Sequence, residues 1–185
     1  MFRHSTAAIG AAAPLPTGIV DPLVAQRTIF SADRTHRFTL FRHWGDTTDY
    51  ACAISMNPSG AAEDVGDRTV DGMVRRARNH WGVGAYYQLN VMSLRGTYSA
   101  DLARAAVINL PENDEWIHRI AAGARIVVVS WGDAGHASGR GMAVEKILRE
   151  VCNPSKVFCF GRNKSGAPVH PLYQRDDAPL LPYFT

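Results

Sequence analysis

The sequence predicts an α/β protein: a three-layer α/β/α arrangement around a four-stranded, mainly parallel sheet, preceded by an antiparallel β-hairpin. Three observations carry that expectation. Strand-like runs alternate with segments of helical period, which places helices on both faces of a parallel sheet joined by right-handed crossovers. The strand-like runs are nearly continuous in apolar residues, as expected of strands covered on both faces. At 185 residues and 46% hydrophobic, the chain is long enough for one compact core and short for two ordinary domains.

In chain order, residues 1–26 read as a tail, because Pro14, Pro16, Gly18 and Pro22 punctuate them and no period is visible. The remaining residues, 27–185, read as a single α/β domain. Arg3 and His4 before an alanine-rich stretch imitate a signal peptide only faintly, since the apolar part is short and interrupted by Gly10. No run approaches the roughly 18 apolar residues of a membrane span, so no membrane partner is expected. Cys52, Cys152 and Cys159 are odd in number, lack metal-type pairing and fall largely in apolar runs. They read as small hydrophobes of a reducing compartment, which points to a cytoplasmic protein.

Residues 27–31 and 36–44 flank a short polar turn and read as the hairpin. Phe38 and Leu40, with Arg42, alternate against Arg37, Thr39 and Phe41, a period of two. Residues 50–56 form the first strand of the main sheet. Asp67 can cap a helix from Arg68 to about Trp81, with Val70, Met73, Val74 and Ala77 inward. Arg75, Arg76 and Arg78 then read as a solvated face, with phosphate contact as the alternative. Residues 85–91 are the second strand. Asn113 reads as the N-cap of the next helix, with Asp114 and Glu115 in its first turn and Trp116, Ile117 and Ile120 inward. Residues 125–132 are the third strand, the most β-branched run. A glycine-rich turn over 133–141 opens a helix through Ala143, Val144, Ile147, Leu148 and Val151, and residues 156–161 are the fourth strand.

The chemistry gathers at two strand ends. Residues 50–60 run from an apolar strand into Asn57-Pro58-Ser59, and residues 158–173 run through Gly161 to His170-Pro-Leu-Tyr173. Ligands of open α/β sheets bind outside the carboxyl ends of strands, so these turns are expected to be opposite lips of one pocket. Each residue also has a plainer reading. Asn57-Pro-Ser satisfies a turn locally; His170 suits an extended loop before proline; Asp67 is a helix cap or a ligand contact; Asn90 braces backbone or touches ligand. Arg95 sits after the second strand, on the pocket side. The glycine-rich stretch precedes a helix N-terminus, which suits an anion, but matches neither the Walker nor the dinucleotide pattern. The seven histidines show no metal-ligand spacing, and neither Ser59 nor Ser130 lies in a Gly-x-Ser-x-Gly elbow. No metal and no cofactor are expected.

The ordered set Asn57-Pro-Ser59, Asp67 and Thr69, Trp81-Gly82, Asn90, Leu94-Arg95, Asn113-Asp114, Trp131-Gly132, Gly161 and His170-Pro-Leu-Tyr173 resembles the bacterial and phage domain-of-unknown-function family number 1643, over about residues 27–183. More distantly, Asn57-Pro58 and His170-Pro171 resemble the paired motifs of the uracil-DNA glycosylase superfamily, which flank a base-binding pocket on a four-stranded parallel sheet. Asn90 and Trp131-Gly132 occupy similar stations. That resemblance implies hydrolysis or remodelling of an N-glycosidic bond of a modified nucleobase, in nucleic acid or a nucleoside. Asn57 would position water and His170 would donate to the base or a phosphate. Pro58, Ser59, Asp67, Asn90, Arg95, Trp131, Gly132 and Tyr173 would complete the ligand site, with Tyr173 or Trp131 stacking on the ring. This chain departs from that pattern by carrying Asn57 where the most active branch has Asp, and Leu172 after His-Pro where that motif has Ser. No hydrophobic wedge for opening duplex DNA is evident from the sequence. A mild net charge of +3 and a pI near 8.9 suit a phosphate-bearing partner without requiring one. The alternative is a non-catalytic module that binds a nucleobase, nucleotide or nucleic acid in the same pocket.

Overall fold

The computed structural model describes residues 28–45, 47–59, 68–96, 102 and 105–184, with the Tyr173 side chain excepted. The expected tail and Asp67 lie outside the described residues. Seven strands form one mixed sheet: β1 (Thr28–Phe30), β2 (Arg37–His43), β3 (Tyr50–Ser55), β4 (Ala85–Asn90), β5 (Ile126–Val129), β6 (Val157–Cys159) and β7 (Leu181–Pro182). Their order is β1-β2-β4-β3-β5-β6-β7. The four strands expected from sequence are its parallel centre, with Ala51 facing Tyr86 on one side and Ile126 on the other.

Among the described residues the sheet therefore has seven strands where four were expected. The hairpin does not stand apart: β2 pairs antiparallel with β4, Leu40 against Gln88, and extends the sheet. At the other edge β7 pairs with β6, Cys159 against Leu181. The outermost strands, β1 and β7, are only three and two residues long.

Helices pack on both faces, and alternation along β3 shows why. Cys52 and Ile54 share a core with Ile117 and Ile120 of α2 (Pro111–Gly123) and with Val144 and Leu148 of α4 (Arg140–Val151). Ala51 and Ala53 face Val70, Met73 and Ala77 of α1 (Arg68–His80). The alanines let α1 lie close to the sheet, and burying Val70 and Met73 contributes about 1.5–3 kcal/mol apiece. The chain passes from β3 to β4 on one side and then to β5 on the other. Strand order thus reverses around β3, whose carboxyl end is the kind of place where open sheets bind ligands.

Three local expectations are corrected. Asn113 is not the N-cap of α2. The helix starts at Pro111, a residue pre-set for the first helical position, and Asn113 lies buried in the first turn, donating to Asn90 O and Asn109 Oδ1. The glycine-rich segment is not an open turn. It contains α3 (Gly132–Ala137), and α4 follows after Gly139, whose φ of 74° breaks the helix. Finally, Arg76 is not on a solvated face but is 4% exposed, for reasons given below. Among the described residues, no helix is long and apolar enough to cross a membrane.

Candidate functional site

The carboxyl end of β3 opens into a hollow of about 170 Å³, lined by Ser55, Asn57 and Ser59 from β3 and its exit, and by Gln88 and Asn90 from β4. Arg37, Thr69, Gly96 and His170 complete most of the wall. Both expected lips are present: Asn57 and His170 line the same cavity, with Ser59 and Asn90 between them in the chain. Arg37 reaches it because β2 runs antiparallel to β4, which carries the start of β2 to the carboxyl edge; Arg37 N bonds to Ser93 O at 2.9 Å.

Asn57 is fixed by its own amide. Nδ2 donates to Pro58 O at 3.0 Å and to Gly96 O at 2.9 Å. Both neighbours are carbonyl acceptors, so the orientation of the amide follows from chemistry, and both its hydrogens are used. What Asn57 offers the hollow is its acceptor oxygen. Ser59 Oγ is buried and has no hydrogen-bond partner among the described residues, a polar group that a ligand would satisfy.

Beneath these lies a polar floor. Gln88 Nε2 donates to Ser55 Oγ at 3.1 Å and to Leu89 O at 2.7 Å, while the Tyr86 hydroxyl donates to Gln88 Oε1. Ser55 Oγ lies 3.2 Å from Ser130 Oγ. A Gln in the middle of a strand buried on both faces is expected to be anchored in this way.

His170 precedes the 3-10 turn Pro171–Tyr173, and its Nδ1 accepts from Leu172 N at 3.3 Å. An accepting Nδ1 places the ring proton on Nε2, so the ring presents an N–H donor. The loop is held from two sides. Gly132 N donates to Pro168 O at 2.9 Å, and the Asp133 carboxylate takes the Ser165 hydroxyl. Hydrogen bonds from Ser165 and Asn163 hold Asp133 below the usual carboxylate range. Gly132 has φ of 65°, and a Cβ there would lie 3.5 Å from His170 Cβ. From the other side, Arg76 Nη2 donates to Gln174 O and Arg175 O, and Arg75 pairs with Asp176 through two bonds.

Electrostatically the wall is donor-rich. Arg37 is 4% exposed, and Thr69 and Val70 bring the first turn of α1, the positive end of its dipole. No carboxylate lines the hollow among the described residues.

The other expected site residues sit elsewhere. Pro58 is buried in the turn, its carbonyl taken by Gly96 N and by Asn57. Arg95 lies beside Gly96, with its guanidinium over the Phe30 ring. Trp131 does not stack into the hollow: it is 1% exposed in the core, edge-on to Tyr183, with Gly135 and Gly141 against it. Gly132 supports the loop instead of lining the cavity. Asp67 and the Tyr173 side chain lie outside the described residues. Sequence reasoning missed Arg37, Ser55, Thr69 and Gln88 as lining residues. Gln88 carried a signal, a long polar side chain inside a strand between Tyr87 and Leu89.

A larger groove of about 580 Å³ lies at the opposite edge of the sheet, between Trp81, Ile126, Phe158 and Leu180. Two of its basic groups are engaged: Lys156 Nζ donates to Ala121 O, Ala122 O and Ala124 O, and Arg125 pairs with Asp49. It holds none of the expected site residues.

Comparison with known families finds one whose description is "Protein of unknown function (DUF1643)", matching residues 37–172. No curated protein and no solved structure matches.

Proposed function

The chain belongs to the DUF1643 family, and on that premise we propose that the hollow receives a nucleobase and that the protein hydrolyses or remodels the N-glycosidic bond of that base. One observation carries the reading: Asn57 and His170, from distant parts of the chain, line a single polar hollow at the carboxyl end of β3. Its volume is about 170 Å³. Drug-sized ligands use roughly 300–1,000 Å³. The space suits one ring, with the sugar outside.

Hydrolysis would add the hydroxyl of water to C1′ as the C1′–N bond breaks. The electron pair of that bond leaves with the base, whose nitrogen takes up the remaining proton. The acceptor oxygen of Asn57 would orient the water. Arg37 and the Nε2–H of His170 would stabilise negative charge on the departing base, in a wall already biased by the α1 dipole. With no carboxylate among the described lining residues, catalytic weight falls on the leaving group instead of on deprotonation of water. That same feature favours a second reading, a module that binds the base without reacting.

Incubation with base-modified single-stranded and duplex DNA, followed by alkali to reveal abasic sites, tests the enzyme. Product should form with the native protein and vanish in Asn57→Ala and His170→Ala. Asn57→Asp should fail as well. A carboxylate would lose both donations and face two carbonyl oxygens, costing about 1–3 kcal/mol of stability for each bond left unmade. Saturable base binding without product leaves the module. Abasic sites formed equally by all variants would overturn the site, and absence of both binding and product would overturn the nucleobase reading.

A further inference from the structure

We propose that the His36 imidazole and the Ser93 hydroxyl form a proton-operated latch on the wall of the hollow: neutral His36 holds the Asn57 wall in place, and a proton on His36 releases it. For what the hollow binds, the latch rests on the nucleobase reading; the movement itself needs no ligand. Residues 93–96, after β4, are the strap between the two. At one end Ser93 Oγ lies 2.8 Å from His36 Nδ1, and Ser93 O accepts from Arg37 N at 2.9 Å. At the other, Gly96 N donates to Pro58 O at 3.1 Å and Gly96 O accepts from Asn57 Nδ2 at 2.9 Å. Between them Leu94 pairs with His36 in an antiparallel bridge, and Arg95 N donates to Thr35 O at 3.0 Å. A displacement at Ser93 is thus carried to Arg37 and to Asn57, both of which line the hollow.

Ser93 sets the polarity of the contact. It is fully buried, and its Oγ accepts from Leu110 N at 3.0 Å. A hydroxyl has one hydrogen to give, and among the described residues His36 Nδ1 is the acceptor that meets it. Nδ1 therefore accepts, and the ring proton sits on Nε2. A second proton, on Nδ1, sets two hydrogens against each other across this short contact. The hydroxyl hydrogen must then turn into an interior where no other described residue accepts it. Buried polar groups are rarely left in that state, so the strap gives way at Ser93.

The charges around His36 fix the direction of the response. Burial lowers its pKa, and Asp33 of the hairpin and Glu112 of α2 oppose that shift. Arg34 and Arg37 stand near it in the hairpin and Arg95 lies on the strap, while the stretch from Ile108 to Leu110 brings no charge. Asp33 stays ionised throughout, because hydrogen bonds from Ser31 and Thr35 hold its pKa down to about 2. The imidazole is thus the group of this cluster that changes charge as the solution passes from neutral to mildly acidic. The wall is held at neutral pH and loosens as pH falls through the His36 pKa.

The test is NMR of the full chain without ligand, from about pH 8 to about pH 5. The backbone amides of Leu110 and Gly96 and the side-chain amide of Asn57 should move along the titration curve of the His36 ring, with its midpoint. In His36→Gln those resonances should lose that component. In Ser93→Ala the ring should still titrate while the Asn57 amide no longer follows it, which keeps the test valid if His36→Gln disturbs the hairpin. His170→Gln removes the other imidazole of the hollow and should leave the coupling intact. Asn57 and Gly96 resonances that ignore the His36 titration, or that follow the same curve in Ser93→Ala, would overturn the latch. Free uracil should bind the native protein about fivefold more weakly at about pH 5 than at about pH 7, with a smaller loss in His36→Gln. Coupled resonances without uracil binding at either pH would keep the latch and count against the nucleobase reading; uracil binding with uncoupled resonances would do the reverse.

Discussion

Replacing Arg76 with Met should loosen the loop that carries His170 before it affects anything else. Arg76 projects from α1 at 4% exposure, beside Gly72, where a Cβ would come within 3.1 Å of its Nη1. Its guanidinium donates to Gln174 O at 2.5 Å and to Arg175 O at 3.3 and 3.4 Å, and lies 5.5 Å from the centroid of the Phe160 ring. Burial lowers its pKa and Asp176 opposes that shift. Met keeps the apolar stem and removes the donors. A charge-assisted bond is worth about 1.5–3 kcal/mol; the second carbonyl is held by longer bonds, and both carbonyls lie near enough to solvent to be rehydrated in part. The expected loss is about 2–3 kcal/mol, which for a chain of this size lowers the melting midpoint by about 5–10 °C. Hydrogen exchange resolved by residue should show residues 170–176 opening more readily while the centre of the sheet keeps its protection. A native melting midpoint together with unchanged exchange in that loop would refute the idea that α1 holds His170 in place.

Two further predictions follow from the packing and the charges. Gly141→Ala should destabilise even though it improves helix propensity by about 1 kcal/mol. The new Cβ would lie 2.7 Å from Trp131 Nε1, on a ring that cannot yield, and overpacking of that kind costs about 1–3 kcal/mol; a raised melting midpoint would show that the Trp131 ring can move. His36 is 6% exposed with Nδ1 2.8 Å from Ser93 Oγ, and burial lowers its pKa from 6.5 despite Asp33 and Glu112. The unfolded chain therefore binds a proton at higher pH than the native state. Stability attributable to His36 is complete above about pH 6.5 and declines as pH falls below it. Urea midpoints of the native protein should drop between pH 7 and pH 5 more than those of His36→Gln, and parallel curves would exclude the histidine as the cause.

Much of the fold was legible because its signals are local. The apolar runs at 50–55, 85–90 and 126–129 read as strands buried on both faces, and the spacing of Val70, Met73 and Ala77 read as one face of a helix. The N-cap of α2 was misread because Asn113 and Pro111 are both good starting signals, and the tertiary need for Asn113 to bond Asn90 O decided between them. The glycines at 132, 135, 139 and 141 looked like an anion loop; Gly135 and Gly141 are there because Trp131 leaves no room for a side chain.

The site divides along the same line. Sequence alone determined that Asn57 and His170 follow strands and precede prolines, since strand ends and turn chemistry are written in adjacent residues. Only the tertiary structure decided that Arg37, from an antiparallel strand, joins them, that Trp131 turns into the core, and that Arg76 is spent on the His170 loop. Those outcomes depend on which strand lies beside which and on how far a long side chain can reach across the gap. Pairing between remote segments is set by the summed burial of the whole sheet, which no short window of sequence contains.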